Sequence, residues 1–217
     1  MKKSNILATL LLGTVGIFSG CGSDGLSTTT ADAFTYSVNV TNLTAGQPMS
    51  PVLITSSSIY HVGESASAGL EKLAEGGDNS ELLSTDSVSG TGLLTPSSSE
   101  ILTINTQKQT LSIATMLVKT NDAFAGIESY DVASLKVAQS TTLFLNVYDA
   151  GTETNDETNT TVPGLGGEGY NAERETANIV TLHSGIISKN DGLVTSNLNS
   201  LEKFNNPALK VVITRTK

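Results

Sequence analysis

The chain has 217 residues, with 12 Lys and Arg against 21 Asp and Glu and a formal net charge of −9. So acidic a surface excludes nucleic acid and anionic lipid headgroups as partners held by charge, and suits cations or basic surfaces. Hydrophobic residues make up 38%, Trp is absent and Ser and Thr abound, which fits an exported all-β domain better than a helical bundle.

The first twenty residues read as a secretory signal. Lys2 and Lys3 precede an apolar run from Ile6 to Phe18, too short for a typical membrane span, and Ser19-Gly20-Cys21 follows. Small residues directly before a cysteine resemble a bacterial lipobox, with Phe18 standing where that motif usually has Leu. Cys21 then becomes the lipidated N-terminus; ordinary cleavage with Cys21 left free is the alternative. As the only cysteine, Cys21 has no partner for an intramolecular disulfide, which favours the lipid. Cleavage before it removes two lysines and no acid, taking the formal charge from −9 to −11. Attachment to a membrane would come from the acyl chains and not from a basic face. Gly22 replaces the Asp that retains many lipoproteins in the inner membrane, which points to the outer membrane, periplasm or cell surface. Residues 21–33 are small and polar without an apolar period, a flexible tether, and residues 34–217 suffice for one domain.

Within that domain "FTYSVNVTNL" alternates strictly, with Phe34, Tyr36, Val38 and Val40 on one side, as a half-buried strand does. "SPVLITSSS" predicts a second, shorter strand. The period then changes: "SASAGLEKLAEGG" places Leu70, Leu73 and Ala74 at helical spacing before a Gly76-Gly77 stop, which predicts one short helix. "NSELLSTDS" adds at most a helical turn. After "SGTGLLTPSSS", strands return in "EILTINT", "TLSIATMLVK", "STTLFLNVYD", "ANIVTLHSGI" and "ALKVVITRTK". Short strands between Ser-, Gly- and Asn-rich turns predict an antiparallel sandwich and not a parallel α/β sheet. The connection from Thr154 to Thr176 is long, and such loops are usually functional or mobile.

"GLGGEG", Gly164 to Gly169, satisfies G-x-G-x-x-G but follows "ETNTTVP" and belongs to no βαβ unit, so it is no dinucleotide fingerprint. There is no G-x-S-x-G elbow. His61 and His183 lie far apart without zinc-ligand context and read as structural.

The acidic stretch "NVYDAGTETNDE" is different. Asp149 ends a predicted strand, and Glu153 follows across Ala150-Gly151-Thr152, where Gly151 permits a sharp reversal. A hard cation such as Ca²⁺ takes six to eight oxygens, so a second loop must contribute. Asn121 and Asp122 follow the strand that ends near Lys119, and Asp122 faces the turn if both strands end on one side. Glu157 lies further into the loop and is expected to matter less. On spacing alone a solvated acidic rim is the other reading.

"TMLVKTNDAFAGIES" followed by "LNVYDAGTETND" resembles the spondin domain, as does "VGESASAGLEKLAEGG" within the segment from Phe34 onward. The resemblance spans about Phe34 to Ile187. It implies an all-β fold, an antiparallel Greek-key β-sandwich similar to calcium-dependent phospholipid-binding domains, with one or two short helices and a Ca²⁺ site at one end. Carried over, the loop aspartate of the family falls on Asp122 and the first aspartate of its "DAGTD" turn on Asp149. The last falls on Glu153, one methylene longer. Ala123 also precedes Phe124 where the family has the aromatic next to the aspartate.

The function implied is that of a calcium-binding extracytoplasmic lipoprotein. It would act in ligand binding or adhesion at the cell surface, with an extracellular protein or a glycan as partner, and without catalysis. The alternatives are a metal-assisted hydrolase on the same carboxylates, which lacks a paired His nearby, and a carbohydrate-binding β-sandwich module. The latter needs stacking aromatics, for which Phe124, Tyr148 and Tyr170 qualify.

Overall fold

The alternation at the start of the domain becomes β1 (Phe34–Asn42), with Tyr36, Val38 and Val40 fully buried. The computed structural model describes residues 33–174 and 178–217. The signal sequence, Cys21 and the tether up to residue 32 lie outside the described residues. β2 (Leu53–Thr55), α1 (Ala68–Gly76), β3 (Ser87–Ser89), β4 (Ser99–Thr106) and β5 (Thr110–Met116) follow. Then come β6 (Ala123–Asp131), β7 (Ser140–Asp149), β8 (Thr181–Leu182) and β9 (Leu209–Arg215). "NSELLSTDS" contributes a single 3₁₀ turn, Ser80–Leu82.

The fold is all-β and antiparallel with one α-helix among the described residues. The strands follow one hydrogen-bonded path, β3-β2-β5-β6-β7-β9-β1-β4, with β8 beside β7. β7 makes the path continuous: Ser140–Leu145 pair with β9, and Asn146–Asp149 pair with β6. The two ends of the path, β3 and β4, lie against each other, so the sheet is nearly closed and barrel-like. The two separate layers expected from the sequence are joined here through one shared strand.

Tyr36, Val38, Ile104, Leu111, Ile113, Val147 and Val211 fill the interior. α1 packs on the outside. Its Leu70, Leu73 and Ala74 meet Leu53, Tyr60, Phe124 and Val180 in a second apolar cluster. The Tyr60 and Phe124 rings meet edge to face at 4.9 Å, a favoured aromatic geometry. Ser67 caps the helix, its hydroxyl accepting from the Leu70 amide at 3.1 Å, and Gly77 ends it at φ 69°.

Three strands depart from the sequence reading, the short β3 (Ser87–Ser89) being one, since "NSELLSTDS" was expected to give only a helical turn. β6 was not expected at all. Its first four residues are buried on both faces, so no alternation marks it. Gly126 is required in it, because a Cβ there would lie 2.8 Å from the Ile113 carbonyl oxygen and 3.2 Å from the Tyr60 ring. "ANIVTLHSGI" yields only the two residues of β8, opposite Tyr148 and Asp149, because the rest of that edge of β7 is taken by β9.

Candidate metal centre

β6 begins where β7 ends, with Ala123 paired to Asp149. Asp122 therefore stands one residue before the ladder, against the turn that leaves it. Its Oδ2 accepts hydrogen bonds from the Thr152 amide at 2.7 Å, the Glu153 amide at 3.1 Å and the Thr152 hydroxyl at 3.3 Å. Gly151 makes the turn possible twice over: its φ is +73°, and a Cβ would lie 2.4 Å from the Ile179 carbonyl oxygen. Asp149 stiffens the turn from the other side, Oδ1 accepting from the Gly151 amide at 2.7 Å and Oδ2 from the Asn155 side chain at 2.6 Å.

Asp122 is fully buried, yet its Oδ1 has no hydrogen-bond partner among the described residues. Burial, and after it the nearby Asp149 carboxylate, pushes its pKa up to about 7 against the pull of the two amides. Glu153 is 6% exposed and lines an open depression of about 290 Å³ with Asp149, Asn155, Ile179 and Thr181. The structure thus brings Asp122, Asp149 and the Glu153 backbone to one point at the end of the sheet.

A fourth buried acid that the sequence reading did not single out lies near Thr152. Glu75 of α1 is 1% exposed; its Oε2 accepts from the Asn171 amide at 2.8 Å, while its Oε1 has no hydrogen-bond partner among the described residues. Burial raises its pKa, and the Thr152 hydroxyl beside it works the other way. Thr152 therefore stands between the carboxylates of Asp122 and Glu75. The signal in the sequence was positional. Glu75 lies in the last turn of α1, which has no basic residue, and a carboxylate there opposes the helix dipole.

The donor set is chiefly carboxylate oxygen, which suits a hard cation; the imidazole of His183 is engaged at Nδ1 only, its Nε2 being buried without a hydrogen bond from the described residues. His183 is buried, accepts at Nδ1 from the Gly185 amide at 2.9 Å and packs on Phe204; burial lowers its pKa. The fit is complete in kind and incomplete in geometry. Among the described residues no three His, Cys, Asp or Glu side chains converge closely enough to hold an ion as they stand. Asp149 Oδ2 would have to exchange the Asn155 amide for the cation. Among the described residues three buried carboxylate oxygens here accept no hydrogen bond, Asp122 Oδ1, Glu153 Oε2 and Glu75 Oε1, and such groups are the ones an ion would satisfy.

Two other acids of the cluster do structural work. Asp156 accepts from Asn121 Nδ2, the Thr158 amide and the Thr161 hydroxyl, and hydrogen bonding holds its pKa low although burial opposes this. Glu157 is buried and accepts from the Ile187 amide at 2.7 Å, the Ser188 amide at 2.9 Å and the Ser196 hydroxyl at 2.7 Å. It binds the long connection to the loop before β9. Gly164–Gly169 lies around a 3₁₀ turn, Pro163–Leu165, and not at a strand–helix junction. Of the aromatics weighed for sugar stacking, Phe124 and Tyr148 pack with Tyr60, and Tyr170 is 41% exposed. His61 lies at the surface, 4.0 Å from Glu128.

Compared with known proteins, the chain matches no family model and no curated protein.

Proposed function

We propose that this chain is an exported calcium-binding lipoprotein whose domain is spondin-like, a Greek-key β-sandwich in type, and that it binds a ligand or adheres at the cell surface. Asp122, Asp149 and Glu153, joined by Glu75, would hold Ca²⁺. The observation that carries this reading is the buried Asp122 carboxylate, clasped by the "DAGTE" turn through one oxygen and without a hydrogen bond on the other. Desolvating a carboxylate without a counter-charge is costly, and a hard cation offsets that cost. The bound ion would stiffen the end of the sheet and fix the start of the loop that follows β7, the surface offered to a protein or glycan. Lipid on Cys21 would keep the domain on the outer membrane, in the periplasm or at the cell surface. Nothing in the site favours hydrolysis or sugar stacking over this reading.

The test is calorimetric titration of the chelated protein with CaCl₂, together with thermal melting. Linkage predicts a stability gain of about 2.7 kcal/mol at a hundred times the dissociation constant. Asp149→Asn should remove most of that gain. No heat of binding and an unmoved melting temperature would return the cluster to a solvated rim.

A further inference from the structure

The loop that follows β2 brings three chemically active side chains together, away from the acidic cluster. Ile59 and Tyr60 turn inward, 6% and 5% exposed, and leave Ser58 and His61 on either side of them at the surface. The loop is pinned at both ends: the Ser57 amide donates to the Thr55 hydroxyl at 3.2 Å, and the Glu64 amide donates to the His61 carbonyl at 3.1 Å. The Tyr60 amide donates to Glu128 Oε2 at 2.8 Å, which holds a carboxylate of β6 beside the loop. Ser58 Oγ then lies 3.3 Å from His61 Nε2, and His61 Nδ1 lies 4.0 Å from Glu128 Oε1.

Hydroxyl, imidazole and carboxylate stand here in the order that activates a serine. For Nε2 to accept from the Ser58 hydroxyl, the ring proton must sit on Nδ1, the nitrogen that faces Glu128. Glu128 is itself fixed: it also accepts from the Ser129 hydroxyl at 3.1 Å, and its side chain is 19% exposed. The contact between serine and imidazole is long and that between imidazole and carboxylate longer still, as in resting sites whose contacts tighten only with substrate. The Ile59 amide, next after the serine, donates to no group among the described residues and is a donor available to an oxyanion. The His61 side chain is 59% exposed, so the site is open and selects little by shape. Glu64 and Glu128 beside it disfavour an anionic substrate.

We propose that Ser58, His61 and Glu128 form an acyl-transfer site that hydrolyses small neutral carboxylic esters. Ser58 Oγ bonds to the ester carbonyl carbon while its proton passes to His61 Nε2. The bond from that carbon to the alkoxy oxygen breaks, and the alcohol leaves with the proton. Water then attacks the acyl-Ser58 carbonyl and gives a proton to His61. The carboxylic acid is released as that proton returns to Ser58 Oγ. Glu128 touches no reacting atom; it is a positioning residue that keeps the imidazole proton on Nδ1. Glu128 stands six residues along the chain from Asp122, about 20 Å of extended strand, and the reaction needs no metal. The proposal is therefore independent of the calcium reading.

Two measurements on the full chain test this. A fluorophosphonate probe, which traps activated serines, should add one adduct to the wild type, mapped to Ser58 by peptide mass analysis, and none to His61→Gln. Turnover of p-nitrophenyl acetate should fall about a hundredfold or more in Ser58→Ala and in His61→Gln, and persist in Ser57→Ala. Ser58 and His61 are exposed, so both variants should keep the wild-type melting temperature. Glu128→Gln keeps a carbonyl oxygen for the Tyr60 amide and loses the charge. It should lower kcat about tenfold and leave KM unchanged, which a merely loosened loop would not do. Excess chelator should change none of these results. Unlabelled Ser58 in the wild type overturns the proposal without recourse to any variant. Ester turnover in Ser58→Ala equal to that of the wild type overturns it as well. Turnover that survives in Ser58→Ala and is abolished by chelator would move the hydrolysis to a metal on the acidic cluster and likewise end the proposal.

Discussion

Asp122→Asn in the chelated protein should have an effect on stability that depends on pH. The Asp122 pKa is about 7 in the folded chain against an ordinary value of 3.8. The folded state therefore binds the proton more tightly than the unfolded state, and stability falls as pH rises between those two values. The contribution is fully present below pH 4 and lost above about pH 7. At 1.36 kcal/mol for each pH unit of difference, the loss is on the order of 4 kcal/mol. Asn keeps a carbonyl oxygen for the Thr152 and Glu153 amides and carries no charge at neutral pH, so it escapes this loss. The assay is urea unfolding of both proteins in chelator from pH 4 to pH 8. The variant should gain on the wild type across that range, by an amount approaching the figure above. Excess calcium at pH 8 should shift the difference back toward the wild type, because only the wild type gains from the ion. A difference between the two proteins that stays constant from pH 4 to pH 8 in chelator would refute the reasoning, since the Asp122 carboxylate would then carry no desolvation penalty.

Glu157→Gln should destabilise the domain by about 2 kcal/mol or more, because an amide NH₂ would face the donors of Ile187, Ser188 or Ser196, while the melting shift on adding calcium persists; urea unfolding with and without CaCl₂ checks both halves. Gly151→Ala should cost about 3 kcal/mol or abolish folding, since its Cβ would strike the backbone of Ile179 at a positive φ. A loss below about 1 kcal/mol in the same assay would mean the turn can relax. Cys21→Ser should release the protein from membranes into the soluble fraction, and an exported wild-type chain whose intact mass lacks acyl groups would count against lipidation.

The elements most legible in the sequence were those with one wet and one dry face. β1 shows its period of two, and α1 shows Leu70, Leu73 and Ala74 between a Ser cap and a glycine stop. β6 was not legible, because a strand covered by α1 on one face and the barrel interior on the other carries no alternation, and its small Ala and Gly residues look like a loop. The near closure of the sheet was hidden for another reason: it depends on β7 changing partners midway, and no local pattern encodes which neighbour a strand edge will find. At the candidate site, the approach of Asp122 to the turn after Asp149 followed from where two strands end. Glu75 comes from a helix elsewhere in the chain, and its role depends on packing between helix and sheet. The anchoring role of Glu157 was not legible from spacing, since a buried anchor and a solvated acid look alike in a row of carboxylates.

β7 also sets a direction for the whole molecule. It starts at Ser140, opposite Thr214 of β9, and ends at Asp149 beside the carboxylates, ten residues later. At about 3.3 Å per residue the two ends are about 30 Å apart. Phe34 and Lys217 both lie at the Ser140 end, where the Thr35 amide meets the Lys217 carbonyl. The domain therefore has a root pole and a working pole. An immobilising tag placed directly ahead of Phe34 would hold the root and leave the acidic turn at the far end. Reporter groups placed at Phe34 or Lys217 would sit about a domain's length from Asp122, so a surface-coupled binding measurement need not crowd the face that it interrogates.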